Sequence, residues 1–94
     1  MTFVLVPGAG GDPWYWHLVV PLLERYGERA IAVELPTGDE SAGLAAYADA
    51  IVAAADGADQ ITLVAQSMAG FSAPLACDRL DVRRIVLVNA MVPA

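Results

Sequence analysis

Four short runs of this chain are apolar almost throughout: Phe3-Val4-Leu5-Val6, Ile31-Ala32-Val33-Glu34-Leu35, Ile61-Thr62-Leu63-Val64-Ala65 and Ile85-Val86-Leu87-Val88. A strand with one wet face alternates apolar and polar residues. Continuous, β-branched-rich runs of this length instead fit strands buried on both faces, the situation in a parallel sheet covered by helices on each side. Helical patterns lie between the runs. Leu18, Leu22 and Tyr26 recur at i+4 with Val19 and Leu23 beside them, and Gly27 is a natural stop. Leu44, Tyr47, Ala48, Ile51, Val52 and Ala55 form a second stripe, closed by Asp56-Gly57. A third helix is expected from about Met68 to Asp78, bent or interrupted by Pro74. Strands alternating with helices predict one α/β domain. Residues 36–43, the longest polar stretch, read as a surface loop.

Composition adds a constraint of size. Of 94 residues, 57% are hydrophobic and only 17% charged. That is more core material than so short a chain can bury, so some of its apolar surface is expected to be covered from outside. The formal net charge is −6, and all 5 basic residues are arginines. No basic stripe exists to neutralise phosphates or lie on an anionic membrane, which argues against nucleic-acid and membrane partners. The single cysteine, Cys77, supports neither an internal disulfide nor a thiolate metal site. Asp39-Glu40-Ser41 reads as a solvated loop rather than a metal site, and no cofactor is expected. The N-terminal apolar run lacks a preceding positive region, and no run approaches the about 20 residues of a membrane span. The expectation is a soluble, cytoplasmic protein.

Two glycine-bearing turns follow strands: Pro7-Gly8-Ala9-Gly10-Gly11-Asp12-Pro13-Trp14 and Ala65-Gln66-Ser67-Met68-Ala69-Gly70. Sites in open α/β sheets form beyond the carboxyl ends of strands. If the first and third strands are neighbours, both turns line one crevice. The second turn has the small-x-Ser-x-small pattern of a nucleophile elbow, where a serine on a sharp strand-to-helix turn tolerates only small residues two before and two after it. Its Oγ would stand at a helix N-terminus, and the Met68 N–H could bond an oxyanion. The plainer alternative is that Ser67 only caps the following helix. The first turn has three readings. Its Gly8 and Gly10 match a dinucleotide fingerprint, with Glu34 as the ribose acid, but Pro13 occupies the third glycine position and brings no N–H. The preferred reading is an oxyanion loop presenting the Ala9 N–H, and the plainer one is a turn without a ligand.

The segment from Val4 to Trp16, with Val20-Pro21-Leu22-Leu23-Glu24, Leu35-Pro36, Leu44–Ile51 and Val64–Gly70, resembles α/β-hydrolases of the plant methylesterase and hydroxynitrile-lyase type. The resemblance spans nearly the whole chain. It implies the N-terminal portion of that fold, residues 1–94, with four parallel strands in the order 2-1-3-4 and helices on both faces. It also implies a small-molecule acyl substrate, Ser67 as nucleophile and the backbone N–H groups of Ala9 and Met68 as oxyanion donors. Gly8, Gly10 and Trp14 are candidate substrate-binding residues. Pro7 replaces the histidine usual in the oxyanion loop. Gly8 stands where the lyase branch carries threonine, which favours ester hydrolysis over cyanohydrin chemistry.

The pattern is incomplete. In this fold an acid and then a histidine follow the serine, yet the chain's one histidine, His17, precedes it. His17 reads as a surface or packing residue, and Asp78 and Asp81 as solvated acids. The expectation is a chain inactive alone, whose C-terminal half is missing or separate. A degenerate protein and a self-assembling one are the other accounts, and a non-catalytic ligand-binding or interaction module is the alternative to an enzyme. The fourth run carries no charge and reads as an interior strand with its next neighbour removed.

Overall fold

The computed structural model describes residues 1–8, 12–36, 43–67 and 69–89. Its elements are β1 (Thr2–Val6), a 3₁₀ turn (Pro13–Trp16), α1 (Val19–Arg25), β2 (Arg29–Ala32), α2 (Leu44–Ala55), β3 (Ile61–Gln66), α3 (Ala69–Cys77) and β4 (Val82–Val88). The four strands form one parallel sheet in the order β2-β1-β3-β4. The fold class and strand order expected from the resemblance are therefore those of the molecule.

Strand direction fixes where the helices go. A crossover between parallel strands is right-handed almost without exception. From β1 the chain steps one way to β2. From β2 to β3, and from β3 to β4, it steps the other way. The helices consequently fall on opposite faces. Val4, Val6, Leu63 and Ala65 pack with Ile51 and Ala55 of α2 and Ala69, Ala73 and Ala76 of α3. The intervening residues Leu5 and Val64 face the other way, onto Trp16, Val19, Val20 and Leu23. The absence of alternation in β1 and β3 thus reflects two buried faces.

Several boundaries differ from the sequence expectation, each for a physical reason. Strand β2 begins at Arg29 and its ladder ends at Ala32, not Leu35. Val33 and Leu35 are buried past the end of the ladder; the Val33 N–H still donates to the Leu5 carbonyl at 2.9 Å, and beyond it the apolar run reports burial rather than pairing. Strand β4 starts at Val82, three residues before its apolar run, with an irregularity opposite Ile61 and Thr62 that leaves Arg83 outside the register. Helix α3 continues through Pro74, which is exposed. In α1, the stripe Leu18, Leu22 and Tyr26 is exposed, and Val19, Val20 and Leu23 meet the sheet instead. Asp81 is exposed as expected, but it also works locally. Its carboxylate accepts the Gln60 N–H at 2.9 Å and the Arg83 guanidinium at 2.8 Å, which hold it below the usual carboxylate range, the backbone bond most of all.

The sheet's two edges differ. Strand β4 is an edge, yet its Ile85, Val86 and Leu87 remain 39%, 40% and 46% exposed. Ile85 and Leu87 pair beside Leu63 and Ala65, and Val86 beside Val64. The uncovered apolar surface therefore lies on both faces of the strand.

The α2 contact with the sheet centres on Ile51, which is wholly buried among Val4, Val6 and Leu63. Truncation there leaves a cavity that the rigid sheet cannot close. Ile51→Ala is expected to lower unfolding stability by about 2–5 kcal/mol, read as a fall in the urea midpoint at unchanged slope.

Candidate active site

The carboxyl ends of β1 and β3 are adjacent because these two strands pair directly, Val6 opposite Ala65. Connections from these strands leave in opposite directions, so no crossover covers the space beyond their ends. A cavity of about 410 Å³ lies there, lined by Pro7, Gly8, Asp12, Trp14, Tyr15, Gln66 and Ser67. The two turns singled out in the sequence thus meet in one crevice.

Ser67 has φ +54°, the left-handed conformation that non-glycine residues adopt rarely. It turns the chain from β3 toward α3. Its N–H donates to the Val88 carbonyl of β4 at 3.2 Å, and its carbonyl accepts the Gly70 N–H at 3.1 Å. The turn is therefore tied to both neighbouring elements. A serine that merely capped a helix would have extended backbone instead.

Gly8 is buried against this turn. A Cβ placed on it would collide with Gln66 Oε1, lie 2.9 Å from Ser67 Cβ and 3.1 Å from the Gln66 carbonyl oxygen. Close approach of the two turns is what requires glycine here. The remaining wall comes from the 3₁₀ turn. Asp12 caps it, its Oδ1 accepting the Trp14 N–H at 2.9 Å, with Pro13 in the position that needs no donor. That geometry separates Trp14 and Tyr15 from Trp16. Trp16 turns inward and is buried, whereas Trp14 and Tyr15 are exposed and line the cavity.

Ala9, Gly10 and Met68 lie outside the described residues, as do Asp39, Glu40 and Ser41. Gly8, Trp14 and Ser67 all line the one cavity. His17 does not join them. Its ring stacks on Trp14 with centroids 3.9 Å apart, and its Nδ1–H donates to the Trp14 carbonyl at 2.8 Å. It is not among the lining residues. Cys77 and Asp78 lie at the far end of α3. Burial, with a smaller contribution from Asp78, pushes the Cys77 thiol up and away from nucleophilic use. Among the described residues no three His, Cys, Asp or Glu side chains cluster as metal ligands, and no helix is long and apolar enough to cross a membrane. Asp12 and Gln66 were not singled out as lining residues by sequence. Asp-Pro ahead of aromatics signals a cap, and the position before the serine in a small-x-Ser-x-small pattern has no fixed identity to betray it.

The model of the Alpha/beta hydrolase family matches residues 3–94. The probable esterase PIR7A of Oryza sativa subsp. indica is 35% identical over 98% of the chain, and Methylesterase 7 of Arabidopsis thaliana is 35% identical over 97%. The crystal structure of polyneuridine aldehyde esterase superposes with a TM-score of 0.81 at 28% identity over 98% of the chain. The chain spans 40% of the length of each of those two sequence relatives and 41% of that structure.

The tight contact between the turns makes Gly8 a sensitive position. Gly8→Ala is expected to cost about 1–3 kcal/mol by overpacking, because the nearest obstacles include backbone and Cβ atoms that cannot rotate away. A melting temperature within 1 °C of the parent would contradict that contact (a shift of about 1 kcal/mol moves a domain this size by several degrees).

Proposed function

The chain belongs to the alpha/beta hydrolase family, and from that premise we propose that it is the nucleophile-bearing portion of a serine esterase acting on a carboxylic ester or related acyl compound. The observation that carries the reading is Ser67 in a left-handed turn at the mouth of a cavity, opposite Gly8. Esterases among its relatives supply the reaction class. In the proposed reaction, Ser67 Oγ attacks the acyl carbonyl as a base removes its proton. The tetrahedral oxyanion is held by the backbone N–H groups of Ala9 and Met68. The C–O bond to the alcohol breaks, the alcohol takes the proton, and water then releases the acid from the acyl-serine by the same route.

The proposed base comes from outside these residues. His17 stacks on Trp14 away from the cavity lining, and neither Asp78 nor Asp81 lies among the lining residues. The uncovered β4 edge supports the same view: a further parallel strand, on the same or another polypeptide, would pair there and carry the acid and histidine with it. A ligand-binding module of the same fold is the second reading, favoured by the position of His17. The proposed setting is the cytoplasm, with no cofactor.

Two outcomes are expected. With the 94 residues alone, a fluorophosphonate probe leaves Ser67 unlabelled and no Ser67-dependent ester turnover is measurable. Addition of the C-terminal three-fifths of a methylesterase relative brings labelling that Ser67→Ala abolishes. Turnover by the chain alone, lost in Ser67→Ala, would overturn the missing-base account. Continued silence of Ser67 after complementation would favour the binding module. Sedimentation of the 94-residue chain should show concentration-dependent association, and Ile85→Lys with Leu87→Lys should shift it toward monomer.

A further inference from the structure

The arginines are segregated from the site. Arg25 ends α1, Arg29 begins β2, Arg79 follows α3, and Arg83 and Arg84 open β4. In a parallel sheet joined by crossover helices, each of these positions lies at the amino end of the strands. The cavity lies at the carboxyl end. All 5 cationic side chains of the chain are therefore placed at the opposite end of the sheet.

The cavity wall carries the complementary charge. Among the described lining residues, Asp12 alone is ionic. A carboxylate has two acceptor oxygens, and the helix cap uses Oδ1. Trp14 and Tyr15 flank Asp12 in the wall, 67% and 52% exposed. His17 covers one face of Trp14 by stacking. Exposed aromatic faces attract cations, tryptophan most strongly, and favour weakly hydrated alkylammonium groups. A carboxylate beside two aromatics, with every arginine remote, suits a positively charged organic group. Among the described lining residues it offers an anionic acyl group no counter-charge.

We propose that this cavity selects an ester or acyl compound bearing a protonated or quaternary amine, with Asp12 as the charge determinant and Trp14 and Tyr15 as the aromatic wall. As a substrate class this rests on the reading of Ser67 as nucleophile. As a ligand class it rests only on the cavity.

The test compares two probes of equal shape, the phenylacetate ester of choline and its uncharged isostere, 3,3-dimethylbutyl phenylacetate, by ligand-observed NMR titration against the 94-residue chain. The choline ester is expected to bind about tenfold more tightly. Asp12→Asn retains a capping oxygen, so the 3₁₀ turn survives, and it should bring the two esters within about twofold. Asp78→Asn, the same charge change at the amino end of the sheet, should leave the ratio at tenfold. Equal binding of the two esters, binding of neither, persistence of the ratio in Asp12→Asn, or an equal loss in Asp78→Asn would each overturn the proposal. Charge discrimination through Asp12 without Ser67 labelling after complementation would leave the ligand class standing and remove the esterase reading. Labelling without discrimination would do the reverse.

Discussion

Direct pairing of β1 with β3 is the contact on which the rest of the molecule depends. It places two strands that are far apart in sequence side by side, Thr2 opposite Ile61 through Val6 opposite Ala65. Because the chain leaves these strands in opposite directions, α1 is sent to one face, α2 and α3 to the other, and the space beyond the strand ends stays open. The buried core and the crevice are thus products of one topological fact.

At the base of the crevice a serine in a left-handed turn meets a closely packed glycine. Ser67 is held at φ +54° with its N–H on β4 and its carbonyl on α3. Gly8 approaches so closely that no side chain fits between the turns. The Ser67 conformation would not be favoured in isolation. Strain of this kind persists only where surrounding structure over-determines it, and the three-strand junction of β1, β3 and β4 supplies that. The same junction gives a serine hydroxyl a fixed place relative to the wall formed by Asp12, Trp14 and Tyr15.

The distribution of surface follows from the same arrangement. Apolar residues of β4 are exposed on both faces, and the outer stripe of α1, Leu18, Leu22 and Tyr26, is exposed as well. Among the described residues these two places hold six of the eleven exposed large hydrophobics; Trp14 and Tyr15 stand at the cavity, and Met1, Leu44 and Leu75 are exposed elsewhere. Charge is distributed unevenly too, with the arginines gathered at the amino end of the sheet, and with Asp12 at the site.

By itself the sequence determined the elements and their class. Runs such as Val4-Leu5-Val6 and Leu63-Val64-Ala65 fit strands buried on both faces, and the small residues around Ser67 mark a sharp turn; both are local consequences of side-chain size and period. Tertiary structure decided what depends on register and direction. It chose which of α1's two adjacent stripes faces the sheet, since Leu18-Leu22-Tyr26 and Val19-Leu23 are equally apolar on a helical wheel. It ended the β2 ladder at Ala32 while burying Val33 and Leu35, because burial and hydrogen-bond pairing are separate demands that hydrophobicity alone cannot distinguish. It separated Trp14 and Tyr15 from Trp16, and brought Asp12 and Gln66 to the cavity, through a capped 3₁₀ turn and a strand end whose side-chain directions are fixed only when β1 and β3 lie side by side.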